Sequence, residues 1–263
     1  MQSINDYCKP LHYMQPAMIQ TDHVVECVKP IWLKKPVAAS ALLNRIKRIL
    51  DYGRVSGSIP INAFNVATYQ GTIQHRLPKQ PSATSYASMP YEQLPNFVAK
   101  MRELDRPATR LLEMIILTGL RVNEAAKAKW SEIDFDKATM TISASRMKGK
   151  SEHVVPLTAP VLRLLRVQLE LTGGNPDGFV FEGRRGADHV TARALNPIVQ
   201  PYTVHGMRSS LRQFLSDKTD TPFEVAENIL AHAVGSSVTR SYLRSQSIAK
   251  MAAALKQWSD YIG

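Results

Sequence analysis

The sequence is poor in the features that mark secreted and membrane-spanning chains. Of its 263 residues only two are cysteines, Cys8 and Cys27, and their spacing fits neither a disulfide framework nor a metal motif. They read as free thiols, the state a reducing cytoplasm maintains. No apolar run approaches the roughly 20 residues a membrane-spanning helix needs. The first residues, MQSINDYCKPLHYMQPAM, lack a basic stretch followed by an apolar one, so no secretory signal is read. Internal repeats and low-complexity tracts are missing too. No Asp/Glu cluster has metal-ligand spacing, which counts against a two-metal nuclease; neither metal nor cofactor is expected. Acidic residues are scarce, 22 against 33 Lys and Arg, for a net charge of +11. Such an excess points to a polyanionic partner, most simply nucleic acid.

What is present is a chain with 44% hydrophobic residues, enough for one large domain or for a small and a medium one. The charge is uneven. Residues 1–88 hold 10 basic and 4 acidic residues, net +6; the other 175 hold 23 and 18, net +5. A small basic module before a larger domain fits these counts. Residues 1–20 show no periodicity and are expected to be disordered or irregular. From 21 to 70 the pattern is helical: Leu42, Leu43, Ile46, Ile49 and Leu50 form an apolar stripe, and Gly53 is expected to end that helix. Residues 71–90 are rich in Pro, Ser, Thr and Gln and read as a linker. The remainder, 91–263, alternates apolar helical stretches with one β-hairpin signal over 138–157, its polar tip running from Lys148 to Glu152. The fold class is mainly α with a small antiparallel sheet.

Four short segments carry candidate chemistry, and each has a plain alternative. In Leu117-Thr-Gly-Leu-Arg-Val-Asn-Glu124, Glu124 stands three residues after Arg121 and can orient its guanidinium; alone, a surface ion pair explains it as well. Arg146-Met-Lys-Gly-Lys150 places two lysines on a turn that can swing into a groove or toward a leaving oxygen; a solvated turn is the plain alternative. His205-Gly-Met-Arg208 puts an imidazole and a guanidinium on one helix face, a pair suited to a phosphodiester. Leu230-Ala-His232 is followed ten residues later by Tyr242, amid Thr239, Arg240 and Arg244. A tyrosine becomes a nucleophile only where cations stabilise its phenolate; otherwise it is one more packed ring.

Taken in order, LTGLRVNEAAKAKW, RMKGKSEHVVPL, HGMRSSL and LAHAVGSSVTRSY resemble the tyrosine recombinase (phage integrase) family over roughly residues 90–263, and more loosely over 23–66. RMK…EHVVPL and the closing KQWSDYIG are most similar to integrases of prophages, satellite phages and genomic islands. The sequence departs from the commoner motif in having Ala231 where Gly is usual, with the tyrosine one residue further on. The family's N-terminal arm-binding domain is not read in it.

The resemblance implies a recombinase catalytic domain preceded by a small helical core-binding module. It also implies a metal-free reaction in which DNA strands are cut and rejoined through a 3′-phosphotyrosine. Carried over by position, Arg121 and Arg208 grip the scissile phosphate, supported by Glu124. Lys148, with Lys150 as the alternative, protonates the leaving 5′ oxygen. His205 is a proton acceptor or phosphate ligand, His232 a hydrogen-bond donor and Tyr242 the nucleophile. Arg45 and Arg48 are expected to touch DNA phosphates. The implied partner is double-stranded DNA at attachment-type core sites, bound by a tetramer that assembles from monomers. A host DNA-bending protein or an excisionase is a candidate accessory, and the place of action is the bacterial cytoplasm at the nucleoid. The final stripe of Ala252, Ala253, Leu255, Trp258 and Tyr261 is expected to dock on a neighbouring subunit. A DNA-binding remnant and a type IB topoisomerase-like enzyme are the rival functions.

Overall fold

The structure, a computed structural model, describes residues 2–81, 87–183, 188–232 and 237–263, with the side chains of 237–247 outside the description. It forms two compact units, Met1–Ser85 and Tyr86–Gly263.

The first unit holds α1 (Gln2–Tyr7), α2 (Thr21–Val28) and α3 (Pro36–Val55), joined through short 3-10 turns. Four members of the apolar stripe, Leu42, Leu43, Ile46 and Leu50, are buried in one core with Val24, Val28, Ile31 and Trp32. Ile49 instead faces outward, 52% exposed. The segment expected to be irregular begins with α1, and Cys8 at its end is buried with Cys27; both thiols are free. Gly53 does not end α3. It lies inside the helix and buried, where a Cβ would meet Ile59 Cδ1 at 3.0 Å, so its size serves close packing. Part of the expected linker is packed on this unit: Trp32 Nε1–H donates to Pro78 O at 2.7 Å, and Gln80 donates to Trp32 O at 3.1 Å.

The second unit is built around α5 (Pro107–Thr118), which is buried along almost its whole length. Against it pack α4 (Leu94–Arg102), α6 (Val122–Ala126), α7 (Ala159–Thr172), α8 (Ala192–Val199), α9 (Val204–Lys218) and α11 (Ser237–Ile262). α10 (Phe223–Ile229) packs on α9 and α11. Between α6 and α7 lies an antiparallel sheet in the order β1 (Ile133–Asp134), β2 (Thr139–Ile142), β3 (His153–Pro156), with Ile142 opposite His153. The hairpin therefore stands where alternation placed it; β1 is too short to leave a period in the sequence.

The last helix corrects an expectation. Its buried residues are Met251, Ala254, Leu255, Trp258, Ser259 and Ile262, so the inward face is offset from the stripe read in the sequence. Trp258 is fully buried beside Phe214 and donates Nε1–H to Ile116 O at 2.8 Å. The helix thus closes the unit's own core instead of offering a free docking stripe. Trp258→Ala is expected to lower stability by about 3–5 kcal/mol, measured by denaturant unfolding; an unchanged midpoint would contradict this packing.

Candidate active site

Three chain segments meet, and two of them line one cleft. The first is the turn after α5. Gly119 takes φ +69°, and a Cβ there would meet Leu211 Cδ2 at 2.7 Å, so any side chain would strain the turn at this place. The turn delivers Arg121 immediately before α6. Glu124, buried at 4% exposure, accepts the Arg121 backbone N–H at 2.9 Å through Oε2 and the Nη1–H at 2.9 Å through Oε1. A carboxylate that takes both groups of one arginine fixes the plane of its guanidinium. Arg121 Nη2 donates onward to Ala231 O at 3.2 Å.

The second segment is the start of α9. Thr203 caps it by accepting the Gly206 N–H at 2.9 Å. Gly206 lets another stretch of the chain pass, since a Cβ would meet Ala87 O at 2.2 Å. Arg208, buried, donates Nη1–H to Gly119 O and Nη2–H to Leu230 O, the latter at 2.6 Å. Burial first, and then the charge of Arg121, push its pKa down to about 10, which leaves it cationic at neutral pH. His205 lies one turn earlier on the same face. Its pKa is lowered by burial first, then by the charges of Arg208, Arg121 and His232, so the neutral ring is favoured.

The third segment is the end of α10. The His232 backbone N–H bonds Glu227 O at 2.9 Å, and its Nδ1 pairs with Glu227 Oε2 at 2.7 Å. That leaves Nε2 facing Arg208 Nη2 at 3.4 Å. Glu227 also accepts Arg212 Nε–H at 2.7 Å. Burial raises the Glu227 pKa, but the hydrogen bonds and charges of Arg212 and His232 outweigh it, and the pKa falls below the ordinary value. Ala231 has φ +49°, a left-handed conformation that suits glycine better. Ala231→Gly is therefore expected to stabilise the protein by about 1 kcal/mol, seen as a higher unfolding midpoint; a lower midpoint would count against that backbone geometry.

The fold thus brings Arg121, Glu124, His205, Arg208 and His232 together. His205, Arg208, Ser209, Arg212, Leu230 and His232 line a cleft of about 450 Å³. The other candidates stand apart or out of view. Lys148 and Lys150 are exposed at the hairpin tip. Tyr242 falls within α11, and its side chain lies outside the described residues. In the first unit Arg48 is exposed, while Arg45 donates to Ser3 Oγ. Two participants escaped the sequence reading. Glu227 precedes His232 by five residues, a spacing without a recognisable signature. His153 lies inside the quoted EHVVPL motif, yet a histidine at a strand start reads as a packing residue. Among the described residues, no group of three or more His, Cys, Asp or Glu side chains is placed to hold a metal.

Residues 88–247 match the family model described as the phage integrase family. The chain belongs to that family, the tyrosine recombinases. Among its relatives, a prophage integrase of Escherichia coli K12, IntA, is 28% identical over 93% of this chain and 59% of its own length. The integrase of Shigella phage Sf6 is 27% identical over 68% of this chain and 48% of its own length. The chain thus spans about half to three fifths of the curated relatives it matches. A lambda integrase, solved as a tetramer bound to a Holliday junction, shares the fold with a TM-score of 0.64 at 15% identity, over 91% of this chain and 69% of that one. Family and fold thus agree with the resemblance read from the motifs.

Proposed function

We propose that the protein is a site-specific DNA recombinase that cuts and rejoins strands through a 3′-phosphotyrosine and so integrates or excises a mobile element. The observation that carries this reading is the convergence of Arg208, His205 and His232 on one cleft, with the guanidinium of Arg121 within electrostatic reach of His205. A phosphodiester in transit gathers negative charge on its non-bridging oxygens, and fixed cationic donors stabilise that charge without rearranging. Arg208 is anchored by two carbonyls and Arg121 by Glu124, so both are preorganised.

In the proposed step the Tyr242 hydroxyl oxygen attacks phosphorus and the P–O5′ bond breaks. The phenolic proton passes to His205, whose neutral ring is favoured by burial and then by the neighbouring cations, and Lys148 gives a proton to the departing 5′ oxygen. The phosphotyrosine ester retains the bond energy, so a second strand's 5′-hydroxyl can reverse the step on a new partner. Arg45 and Arg48 are proposed to contact DNA phosphates, and a tetramer on paired core sites is proposed as the working assembly, with a host DNA-bending protein or an excisionase as accessory. Such an enzyme works at the bacterial nucleoid. Among the described residues, no helix is long and apolar enough to cross a membrane.

The test is covalent trapping. The full chain is incubated with a library of nicked duplexes randomised around the nick, and denatured, protease-sensitive protein–DNA adducts are isolated and sequenced. An adduct that transfers its strand to a second duplex is the expected result. Binding without an adduct would indicate a remnant, and adducts that only relax supercoils would indicate a topoisomerase-like enzyme.

A further inference from the structure

The ten residues 143–152 that join β2 to β3 carry Lys148. A lysine on a loop of that length has no fixed register with the arginines, yet proton transfer demands placement within hydrogen-bond reach. Two residues earlier stands Arg146, which the family comparison leaves without a role. Its side chain is not spread in solvent. Nη1–H donates to both carboxylate oxygens of Glu132, and Nη2–H donates to the main-chain oxygen of Glu124 at 2.7 Å. Glu124 is the residue that orients Arg121. Met147, between Arg146 and Lys148, is buried in the core. The near end of the loop is therefore fastened to the helix that holds the first guanidinium.

The far end lies beside the second. His153 begins β3, and its ring contacts the backbone carbonyl of Ile229 within electrostatic reach of Glu124, Arg121 and Arg208. Ile229 directly precedes Leu230 and Ala231, whose carbonyls accept from Arg208 and Arg121. Among the described residues, His153 Nε2 is sealed from solvent and has no hydrogen-bond partner. A buried polar nitrogen without a partner is costly, and an apolar side chain would fill the space without that cost. What the imidazole supplies beyond packing is its polar contact with the Ile229 carbonyl.

We propose that Arg146 and His153 are positioning residues that lock the lysine hairpin in register with the arginine pair. The proposal rests on reading Lys148 as the proton donor to the leaving 5′ oxygen. It is tested by single-turnover cleavage of a duplex selected in the trapping experiment, made with either oxygen or sulfur at the 5′ bridging position. Sulfur leaves as a thiolate, because thiols ionise far more readily than alcohols, and it needs no proton donor.

The variants are His153→Leu and the pair Arg146→Met with Glu132→Gln, the latter change removing a carboxylate that would otherwise be stranded. Both are expected to bind the oxygen duplex like wild type and to cleave it on the order of 10²-fold more slowly. Both should recover most of that loss on the sulfur duplex, as Lys148→Ala should, whereas Arg121→Lys should not. If either protein fails to fold, Arg146→Lys replaces the pair and His153→Asn replaces the leucine variant, with the same sulfur rescue expected. A variant that cleaves oxygen DNA at the wild-type rate, or one whose defect persists on sulfur DNA, overturns the anchor. If Lys148→Ala itself cleaves oxygen DNA normally, the proton-donor reading falls, and the anchor falls with it.

Discussion

Tyr242→Phe is expected to leave DNA binding intact and to eliminate the covalent adduct altogether. The substitution removes one oxygen and keeps the ring, so folding and charge are preserved. If that oxygen is the nucleophile, the loss should be on the order of 10⁴–10⁶-fold, the scale seen when a nucleophile is deleted. The other tyrosines described in the second unit have different occupations. Tyr91 is buried, Tyr261 packs against Phe214 and Trp258, and Tyr202 donates its hydroxyl to Gln93 at 3.2 Å. None of these three lines the cleft. A protease-sensitive band that persists in Tyr242→Phe would move the nucleophile elsewhere and remove the central step of the mechanism.

Arg208→Lys should have the second-largest effect, and on two measurements at once. An ammonium keeps the charge but loses the planar fork that spans two acceptors. Cleavage should fall by about 10²–10³-fold, the cost of removing one transition-state donor. Stability should fall as well, because Gly119 O and Leu230 O both accept from this buried guanidinium and a shorter donor set leaves one of them unpaired, at about 1–3 kcal/mol. Arg121→Lys provides the control. Its side chain is 27% exposed and held chiefly by Glu124, so cleavage should fall to a similar degree with a smaller loss of stability. Normal cleavage by Arg208→Lys would show that the buried guanidinium serves the fold and not the phosphate.

The two arginines show how far the sequence could be read. Their motifs, TGLR and HGMR, were visible because each couples a functional side chain to a glycine the backbone needs. Gly119 turns the chain and Gly206 lets it pass, so the spacing of glycine and arginine is set by local geometry. The hairpin was visible for a similar reason, since alternation along β2 and β3 reflects which side faces the core. The inward face of the last helix is not legible in the same way. Ala252 and Ala253 look as apolar as their neighbours, and only packing against α4, α5 and α9 selects Met251, Ala254 and Ile262 instead. Gly53 is a similar case: a glycine near a helix end reads as a stop, and only the packing of Ile59 against it shows why it lies within the helix.

By itself the sequence determined the class, mainly helical with a small antiparallel sheet, the excess of basic charge and the family, because composition, periodicity and ordered motifs are local properties of the chain. Only the tertiary structure decided which side chains meet. Arg121 reaches Ala231, Arg208 reaches Gly119 and Leu230, and Arg146 reaches Glu124, across separations of 110, 89, 22 and 22 residues. Glu227 and His153 join the cluster on the same terms, through contacts closed by packing of α5, α9 and α10 that no spacing along the chain encodes.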